Sequence, residues 1–247
     1  SRQDIEDAKK RLAFNELFLL QLRAQIARQE KKKSKAISVP FLEQETKDFV
    51  TSLPFRLTDA QKKSAWQILE DIKENTPMTR MLEGDVGSGK TVVAAIAMLG
   101  AALHRSAGCP TPGDPGVGHP EPLRTLQSAL MAPTEILAQQ HFQSIKSLYQ
   151  KLPIKLAILT GSDSRLIDCR NNSEEKLSKV KLQKAIHAGE VDIVIGTHAL
   201  VQDKTKFHNL ALAIIDEQHR FGVEQRQNLI INSGDTNSVP HLLSMTA

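Results

Sequence analysis

One octapeptide decides how the chain folds: Gly84-Asp85-Val86-Gly87-Ser88-Gly89-Lys90-Thr91. It fits the pattern G-x-x-x-x-G-K-[ST] at every specified position. Glycines allow backbone N–H groups to turn inward around phosphate oxygens, Lys90 can reach the β- and γ-phosphates, and the Thr91 hydroxyl can bind Mg²⁺. The pattern therefore predicts that these eight residues bind a nucleoside triphosphate with Mg²⁺. The alternative is a glycine-rich turn that merely precedes a helix.

Two adjacent carboxylates, Asp216 and Glu217, follow the apolar run at 210–215. In open α/β sheets, ligands bind at the carboxyl ends of the strands. Asp216 is therefore predicted to hold Mg²⁺ through its water shell. Glu217 is predicted to orient the attacking water and accept its proton. With Lys90 these two form the expected catalytic set, and an exposed acidic strand end is the alternative.

The two residues after the acid pair, Gln218 and His219, are polar. Both could sense the γ-phosphate and relay its loss to another element. They are therefore expected to couple loss of the γ-phosphate to a response of that element. His219 is also a candidate contact to the nucleotide. A structural histidine with satisfied hydrogen bonds is an equally good interpretation of His219.

Short apolar runs alternate with helix-like stretches from residue 55 onward, which predicts an α/β fold. Near-continuous apolar strands between helices are typical of a mostly parallel sheet with helices on both faces. The predicted strands are 81–82, 129–131, 156–159, 193–195, 211–215 and 242–245. The predicted helices between them are 90–103, 134–150, 174–188 and 222–231.

The first fifty residues have a different pattern. Apolar residues recur at helical spacing over 4–29 without Gly or Pro, which predicts one long helix. Residues 1–50 are therefore interpreted as an N-terminal helical linker, and 51–247 as the nucleotide-binding domain. Within that domain, 104–124 contain five Pro and four Gly, which predicts a long surface insertion loop.

Charge and composition exclude several classes. The net charge of +4 is accounted for by residues 28–35 alone, so the remaining chain is neutral and offers no general basic surface. A charge run such as Lys31–Lys35 is usually a solvated segment rather than a DNA contact. No apolar run is long enough to span a membrane, and two cysteines without an export signal predict a cytoplasmic protein. Because the sequence begins at Ser1 and stops in a predicted strand, we expect a piece of a longer protein.

Several segments in order along the chain resemble the RecG branch of superfamily 2 DNA helicases. They are Arg11–Leu17, Gly84–Thr91, Met131–Ala138 with Gln140-His141, Leu159–Ser162, Gly196–Leu200, Asp216–Val223 with Gln225-Arg226, and Met245–Ala247. The similar transcription-repair coupling translocases usually have Glu where this chain has Gln218, which favours RecG. The resemblance implies a RecA-like P-loop domain, the first of two motor domains, which binds ATP.

The resemblance also implies how the base is recognised. Gln61 is expected to contact the adenine, with Phe55 or Leu57 close to the base. A competing interpretation comes from the residues themselves, because Thr58-Asp59-Ala60-Gln61 has the form of a capping box that opens a helix.

The resemblance places a set of residues along a nucleic-acid face: Pro133, Thr134, Glu135, Thr160, Gly161, Ser162, Gly196, Thr197 and His198. Thr246 is expected to couple the nucleotide state to the grip on DNA. The alternative is that these small and polar residues only turn the chain at strand ends. Aromatic residues make up 4% of the chain, which argues against base stacking and for contacts to phosphates.

The implied function is ATP-dependent remodelling of branched double-stranded DNA such as forks and Holliday junctions. A second RecA-like domain with an arginine finger and a wedge domain would be partners in the same protein, and no membrane partner is expected. Since an arginine finger contributes about 10³–10⁵-fold, this chain alone should hydrolyse ATP barely. Two rivals remain: a P-loop enzyme of another class, such as a small-molecule kinase, and a non-enzymatic nucleotide sensor.

Overall fold

The computed structural model describes residues 2–107, 126–201, 205–217 and 238–246. Eight strands form one sheet in the order β1-β8-β7-β2-β6-β3-β4-β5. Their bounds are β1 Thr79–Glu83, β2 Gln127–Met131, β3 Lys155–Leu159, β4 Ser164–Asp168, β5 Ser173–Lys176, β6 Ile193–Gly196, β7 Leu210–Asp216 and β8 His241–Thr246. The first six strands of that order pair in parallel, whereas β4 and β5 continue the sheet as antiparallel strands.

Six α-helices accompany the sheet in the described part of the chain. They are α1 Arg2–Lys33, α2 Glu43–Ser52, α3 Asp59–Ile72, α4 Lys90–Ala107, α5 Glu135–Leu148 and α6 Lys179–His187, with a short 3₁₀ turn at His198–Leu200. None of these helices is both long and apolar enough to cross a bilayer.

Two apolar clusters cover the two faces of the sheet. Alternate residues of β7 divide between them, because Leu212 and Ile214 pack in the cluster that contains α3, α4 and α5. Ala213 and Ile215 pack on the opposite face, in the cluster that contains α6. This division follows from the period of two in a strand, and it confirms the predicted α/β fold with helices on both faces.

The six predicted strands are confirmed as β1, β2, β3, β6, β7 and β8. The helix predicted over 174–188 is wrong in its first part. Residues 173–176 form β5, paired with β4, and α6 begins only after Ser178, whose hydroxyl accepts from the Lys181 N–H. The polar sequence SEEK lies on an exposed hairpin edge and carries no apolar periodicity that distinguishes strand from helix. The surface loop predicted to begin at residue 104 is wrong in its first four residues, because α4 continues to Ala107. Residues 108–124 of that loop and the predicted helix 222–231 lie outside the described residues.

The long N-terminal helix is confirmed as α1, which includes the predicted span 4–29. The following segment joins the nucleotide-binding part of the molecule. Phe49 of α2 is buried, and its ring lies 5.6 Å from that of Tyr149. The Val39 N–H donates to the carbonyl of Ile72. Core packing therefore extends into residues that the sequence assigned to the linker, while the boundary near residue 50 stays a prediction.

Candidate nucleotide site and nucleic-acid groove

The predicted site residues gather at one edge of the sheet. The octapeptide follows β1, the acid pair ends β7, and Thr246 ends β8 between them. The residues predicted for the nucleic-acid face follow β2, β6 and β3. Parallel strands place their carboxyl ends at the same edge, so two halves of a single edge carry the two sets.

The octapeptide Gly84–Thr91, here called the phosphate loop, runs from the end of β1 into α4. Gly87 and Gly89 adopt φ angles of 82° and 83°, a left-handed conformation that favours glycine. A Cβ on Gly89 would overlap the side-chain amide of Gln61, whereas a Cβ on Gly87 would face open space. Lys90 donates from Nζ to the carbonyls of Gly84 and, at 2.9 Å, Asp85. The loop thus forms a cradle that is open on one side, with an ammonium group folded across it.

Gln61 caps α3 and also contacts the predicted phosphate loop. Its backbone N–H donates to the Thr58 hydroxyl at 3.2 Å, and its Oε1 accepts from the Thr58 N–H at 2.9 Å, which completes the capping box of α3. Its Nε2 donates to the carbonyl of Ser88 in the phosphate loop at 2.8 Å. The helix cap and the nucleotide loop are therefore one hydrogen-bonded unit. Contact with adenine stays a prediction, as does the role of half-exposed Phe55 and buried Leu57.

The phosphate loop and the acid pair meet through a histidine. Thr91 Oγ1 lies 3.5 Å from Nδ1 of His141, and His141 Nε2 lies 2.7 Å from Oδ2 of Asp216. His141 belongs to α5, and its sequence motif alone does not indicate a role at the metal site. This contact brings together two predicted metal ligands that are far apart in sequence.

Glu217 follows directly in a rare backbone conformation. Its φ of 49° is in the left-handed region, which costs a residue other than glycine on the order of 1–3 kcal/mol. Its N–H donates to Asp216 Oδ1 at 3.0 Å. Residues held in such conformations concentrate at functional sites. The turn after β7 therefore fixes the Asp216 carboxylate relative to the backbone of Glu217.

The donor set fits Mg²⁺ bound together with a nucleotide. Within the described ranges no group of three or more His, Cys, Asp or Glu side chains is arranged to hold a metal. Mg²⁺ commonly uses only one or two protein oxygens and completes its octahedron with water and phosphate. Thr91 and Asp216 supply one hydroxyl and one carboxylate, which matches that requirement.

A groove of about 460 Å³ occupies the other half of the edge. Its lining consists of Pro133, Thr134, Glu135, Leu159, Gly161, Lys179, Gln183, Thr197, His198 and Ala199. Six of the nine residues predicted for the nucleic-acid face are in this set. Two members that the sequence analysis missed, Lys179 and Gln183, come from α6, where lysines at surface positions gave no distinguishing signal.

Polar contacts hold the groove wall together. The Glu135 carboxylate accepts from the Ser162 N–H at 3.1 Å and from the Ser162 hydroxyl, which lowers the pKa of Glu135. Lys179 donates to the carbonyl of Gly161. The Thr134 hydroxyl caps α5 by accepting from the N–H of Leu137 at 3.3 Å. The turns after β2 and β3 are thus bound to each other and to the first residue of α6.

Two residues of the predicted face are fully enclosed. Thr160 has no exposed surface, and its hydroxyl accepts from the Asp163 N–H at 3.0 Å. Gly196 is buried in β6, where a Cβ would collide with the carbonyl of Leu159. Both residues match the alternative that they shape strand ends, whereas Gly161, Ser162 and His198 are exposed.

Arg165 of β4 supports the groove wall without lining the groove. Arg165 donates to Asp163 at 2.6 Å, to Gln139 of α5 at 2.8 Å and to Glu174 of β5 at 2.7 Å. Its guanidinium also lies 5.3 Å from the centre of the Phe142 ring. The antiparallel hairpin therefore anchors the turn after β3 to α5, a function that no sequence pattern indicated.

The structure describes one of the three residues that were predicted to have a coupling role. Gln218 and His219 lie outside the described residues. Thr246 ends β8, pairs with Glu83 in register, and accepts from the Gly84 N–H at 3.3 Å. The backbone of Thr246, a residue predicted to couple nucleotide state to DNA, is thus bonded directly to the first residue of the phosphate loop.

A phosphate loop after β1, an acid pair after β7 and six parallel strands in one sheet define a RecA-like nucleotide-binding domain. The model of the DEAD/DEAH box helicase family matches residues 58–247. The chain therefore belongs to the DEAD/DEAH box helicase family, whose members use ATP, generally with Mg²⁺.

Relatives and solved structures narrow the similarity. The chain is 44% identical over 248 residues to the ATP-dependent DNA helicase RecG of Staphylococcus aureus (strain NCTC 8325 / PS 47), covering 100% of this chain and 31% of the relative. It is 40% identical over 248 residues to that of Bacillus subtilis (strain 168), with the same coverage. The chain thus spans about a third of the length of these relatives. The resemblance to the RecG branch is confirmed.

The structure of RecG bound to a three-way DNA junction superposes with a TM-score of 0.73 at 36% identity, covering 98% of this chain and 28% of that one. A DEAD box protein from the hyperthermophile Methanococcus jannaschii matches with a TM-score of 0.56 at 18% identity, covering 86% of this chain and 50% of that one. This second match supports the fold alone.

Proposed function

We propose that this chain is the first motor domain of a RecG-type ATP-dependent DNA helicase that remodels branched DNA. The observation that carries the proposal is the contact series from Thr91 through His141 to Asp216, since it joins the phosphate loop and the acid pair beside a polar groove. The similarity to RecG proteins over the whole chain supports DNA as the substrate.

ATP would bind in the cradle at 84–91. Phosphate oxygens would replace the carbonyls of Gly84 and Asp85 as acceptors for Lys90, and the amides of the loop would donate to the same anion. Thr91 and Asp216 would hold Mg²⁺, which neutralises charge that develops on the phosphates. Glu217 would orient the attacking water and accept its proton.

DNA would lie along the groove. Its wall presents backbone groups, Thr134, His198 and Lys179 rather than stacked aromatic rings, which suits recognition of phosphates rather than bases. Such contacts fix the register of a duplex without reading its sequence, as a motor that moves along DNA requires. Thr160 and Gly196 would act through the backbone shape that they set.

The remaining parts of the machine would come from the same longer protein. A second RecA-like domain would close over the nucleotide and supply an arginine finger, and a wedge domain would engage the branch point. Closure on ATP and reopening after hydrolysis would move the DNA. The isolated chain, with half of the cleft, is expected to turn over ATP barely.

Steady-state ATP turnover by the full-length protein tests the proposal. We expect stimulation by a forked DNA above that by a linear duplex of the same length, and little stimulation by RNA. Stimulation by RNA but not DNA would overturn the substrate class. Phosphate transfer to a small acceptor instead of water would favour a kinase.

A further inference from the structure

His141 lies between the two predicted metal ligands and is nearly enclosed, with 9% of its surface exposed. Both ring nitrogens face a ligand, Nδ1 at 3.5 Å from the Thr91 hydroxyl and Nε2 at 2.7 Å from the Asp216 carboxylate. One side chain therefore touches the phosphate loop and the acid pair at the same time.

A single neutral form of the ring satisfies both contacts. With its proton on Nε2, the ring donates to Asp216 Oδ2, and Nδ1 then accepts from the Thr91 hydroxyl. Asp216 Oδ1 is fixed separately, because it accepts from the Glu217 N–H at 3.0 Å. In this arrangement the oxygens of both ligands keep lone pairs for Mg²⁺, while their orientations are set by the imidazole.

The helix that carries His141 also builds the groove. Thr134 and Glu135, at the start of α5, line the groove, and the side chain of Gln139 accepts a hydrogen bond from Arg165. His141 follows six residues after Glu135, about 9 Å along the helix axis at 1.5 Å per residue. A shift of α5 that alters the groove must therefore also move the imidazole against Thr91 and Asp216.

We propose that His141 is a positioning residue that holds Thr91 and Asp216 in the geometry for Mg²⁺ and, through α5, links metal–nucleotide binding to the groove. The inference rests on the proposed function and adds to it a physical connection between the two halves of the site. Residues that orient metal ligands commonly change metal affinity by about 10–100-fold when they are removed.

Magnesium-dependent binding of a fluorescent ADP analogue to the full-length protein measures the first part. In His141→Ala, we expect the Mg²⁺ concentration for half-maximal tightening to rise by about 10–100-fold, while affinity in EDTA stays within about twofold. His187→Ala, an exposed histidine on α6, is the matched control and should behave as wild type. An unchanged Mg²⁺ dependence in His141→Ala would overturn the inference.

A pair of amide variants keeps the test independent of stability. His141→Gln can still donate to Asp216 and should keep most of the Mg²⁺ effect, whereas His141→Asn is too short and should lose it. Equal Mg²⁺ dependence in these two variants contradicts positioning by the ring. Failure of the wild type to bind nucleotide more tightly with Mg²⁺ would instead refute the proposed function.

DNA affinity measures the second part. Fluorescence anisotropy with a labelled fork should give wild-type affinity for His141→Ala without nucleotide. We expect the difference between the states with ADP–Mg²⁺ and with a non-hydrolysable ATP analogue and Mg²⁺ to shrink in this variant. A full nucleotide-dependent difference in His141→Ala would show that coupling bypasses the imidazole.

Discussion

The two halves of the sheet edge are built by different means. The nucleotide half uses two short segments, each contiguous in sequence. One octapeptide after β1 and one acid pair at the end of β7 supply its predicted chemistry. The groove half is assembled from three separate turns after β2, β3 and β6, together with the first turn of α6. Its side chains are fastened mainly to one another, as in the contacts of Glu135 with Ser162.

The nucleotide half depends on the geometry of one short loop, whereas the groove half depends on how several elements are arranged. A phosphate cradle needs inward-pointing amides at a constant spacing, which only a short continuous loop provides. If the groove follows a DNA backbone as proposed, its shape must change as the DNA moves, and several elements determine that shape. Although α5 contributes to both halves, side-chain changes confined to one half should leave the basal property of the other intact.

The largest effect is expected from Glu217→Gln in the nucleotide half. Loss of the proton acceptor should lower DNA-stimulated ATP turnover by about 10²–10⁴-fold, while binding of ATP with Mg²⁺ is retained. Turnover and nucleotide affinity measured on the same full-length preparation check this. Unchanged turnover would show that Glu217 is not the proton acceptor, and absence of turnover in the wild type would favour a nucleotide sensor over an ATPase. Reduced DNA affinity without nucleotide would erase the separation between the halves.

Lys90→Ala should have the next largest effect. Removing the cation that reaches the phosphates is expected to lower turnover by about 10²–10³-fold, as for other groups that stabilise transition-state charge, and to weaken nucleotide binding as well. Lys62→Ala, an exposed lysine on α3, is the control. The ratio of kcat to KM effects distinguishes this variant from Glu217→Gln, which should mainly affect kcat.

The same contrast explains what could be predicted from sequence. The parallel strands and the phosphate loop were predictable because each is a local pattern with its own spacing. The position of His141 could not be predicted, because its contact with Asp216 at the end of β7 depends on the order of the strands in the sheet. The β4–β5 hairpin was missed for a related reason. β5 is short and polar, and β4 has only two apolar residues, Leu166 and Ile167. Arg165 acquires its role only when Asp163, Gln139 and Glu174 surround it.

Lys179→Ala tests the groove half with a smaller effect. If Lys179 neutralises a DNA phosphate, the slope of log affinity against log salt should become shallower by about one, and binding should weaken equally on different sequences. Turnover at saturating DNA should stay within about twofold. Lys181→Ala on the same helix lies outside the groove lining and should leave the slope unchanged. A changed turnover with an unchanged slope would place Lys179 in the nucleotide half instead.

The smallest effect concerns how the amino-terminal end of β8 and the groove half respond to acid. His241 of β8 accepts from the Met78 N–H at 3.1 Å and bonds the carbonyl of Ile37 at 2.9 Å, and burial lowers its pKa below the ordinary 6.5. The fold therefore favours the neutral ring. The stability that it contributes is complete above pH 6.5 and declines as the pH falls toward the lowered pKa.

The groove half should respond only at lower pH. The pKa of Glu174 is lowered from 4.5 by its bonds with Lys146 and Arg165, so its contribution is kept above that value and lost below it. Hydrogen exchange, corrected for the intrinsic pH dependence, should show peptides around 36–42 and 238–246 loosening between pH 6.5 and 5 while 164–176 stay protected. His241→Gln should flatten the response of the first group. Parallel loosening of both groups in that range would mean that the start of β8 and the groove half respond to acid as one unit.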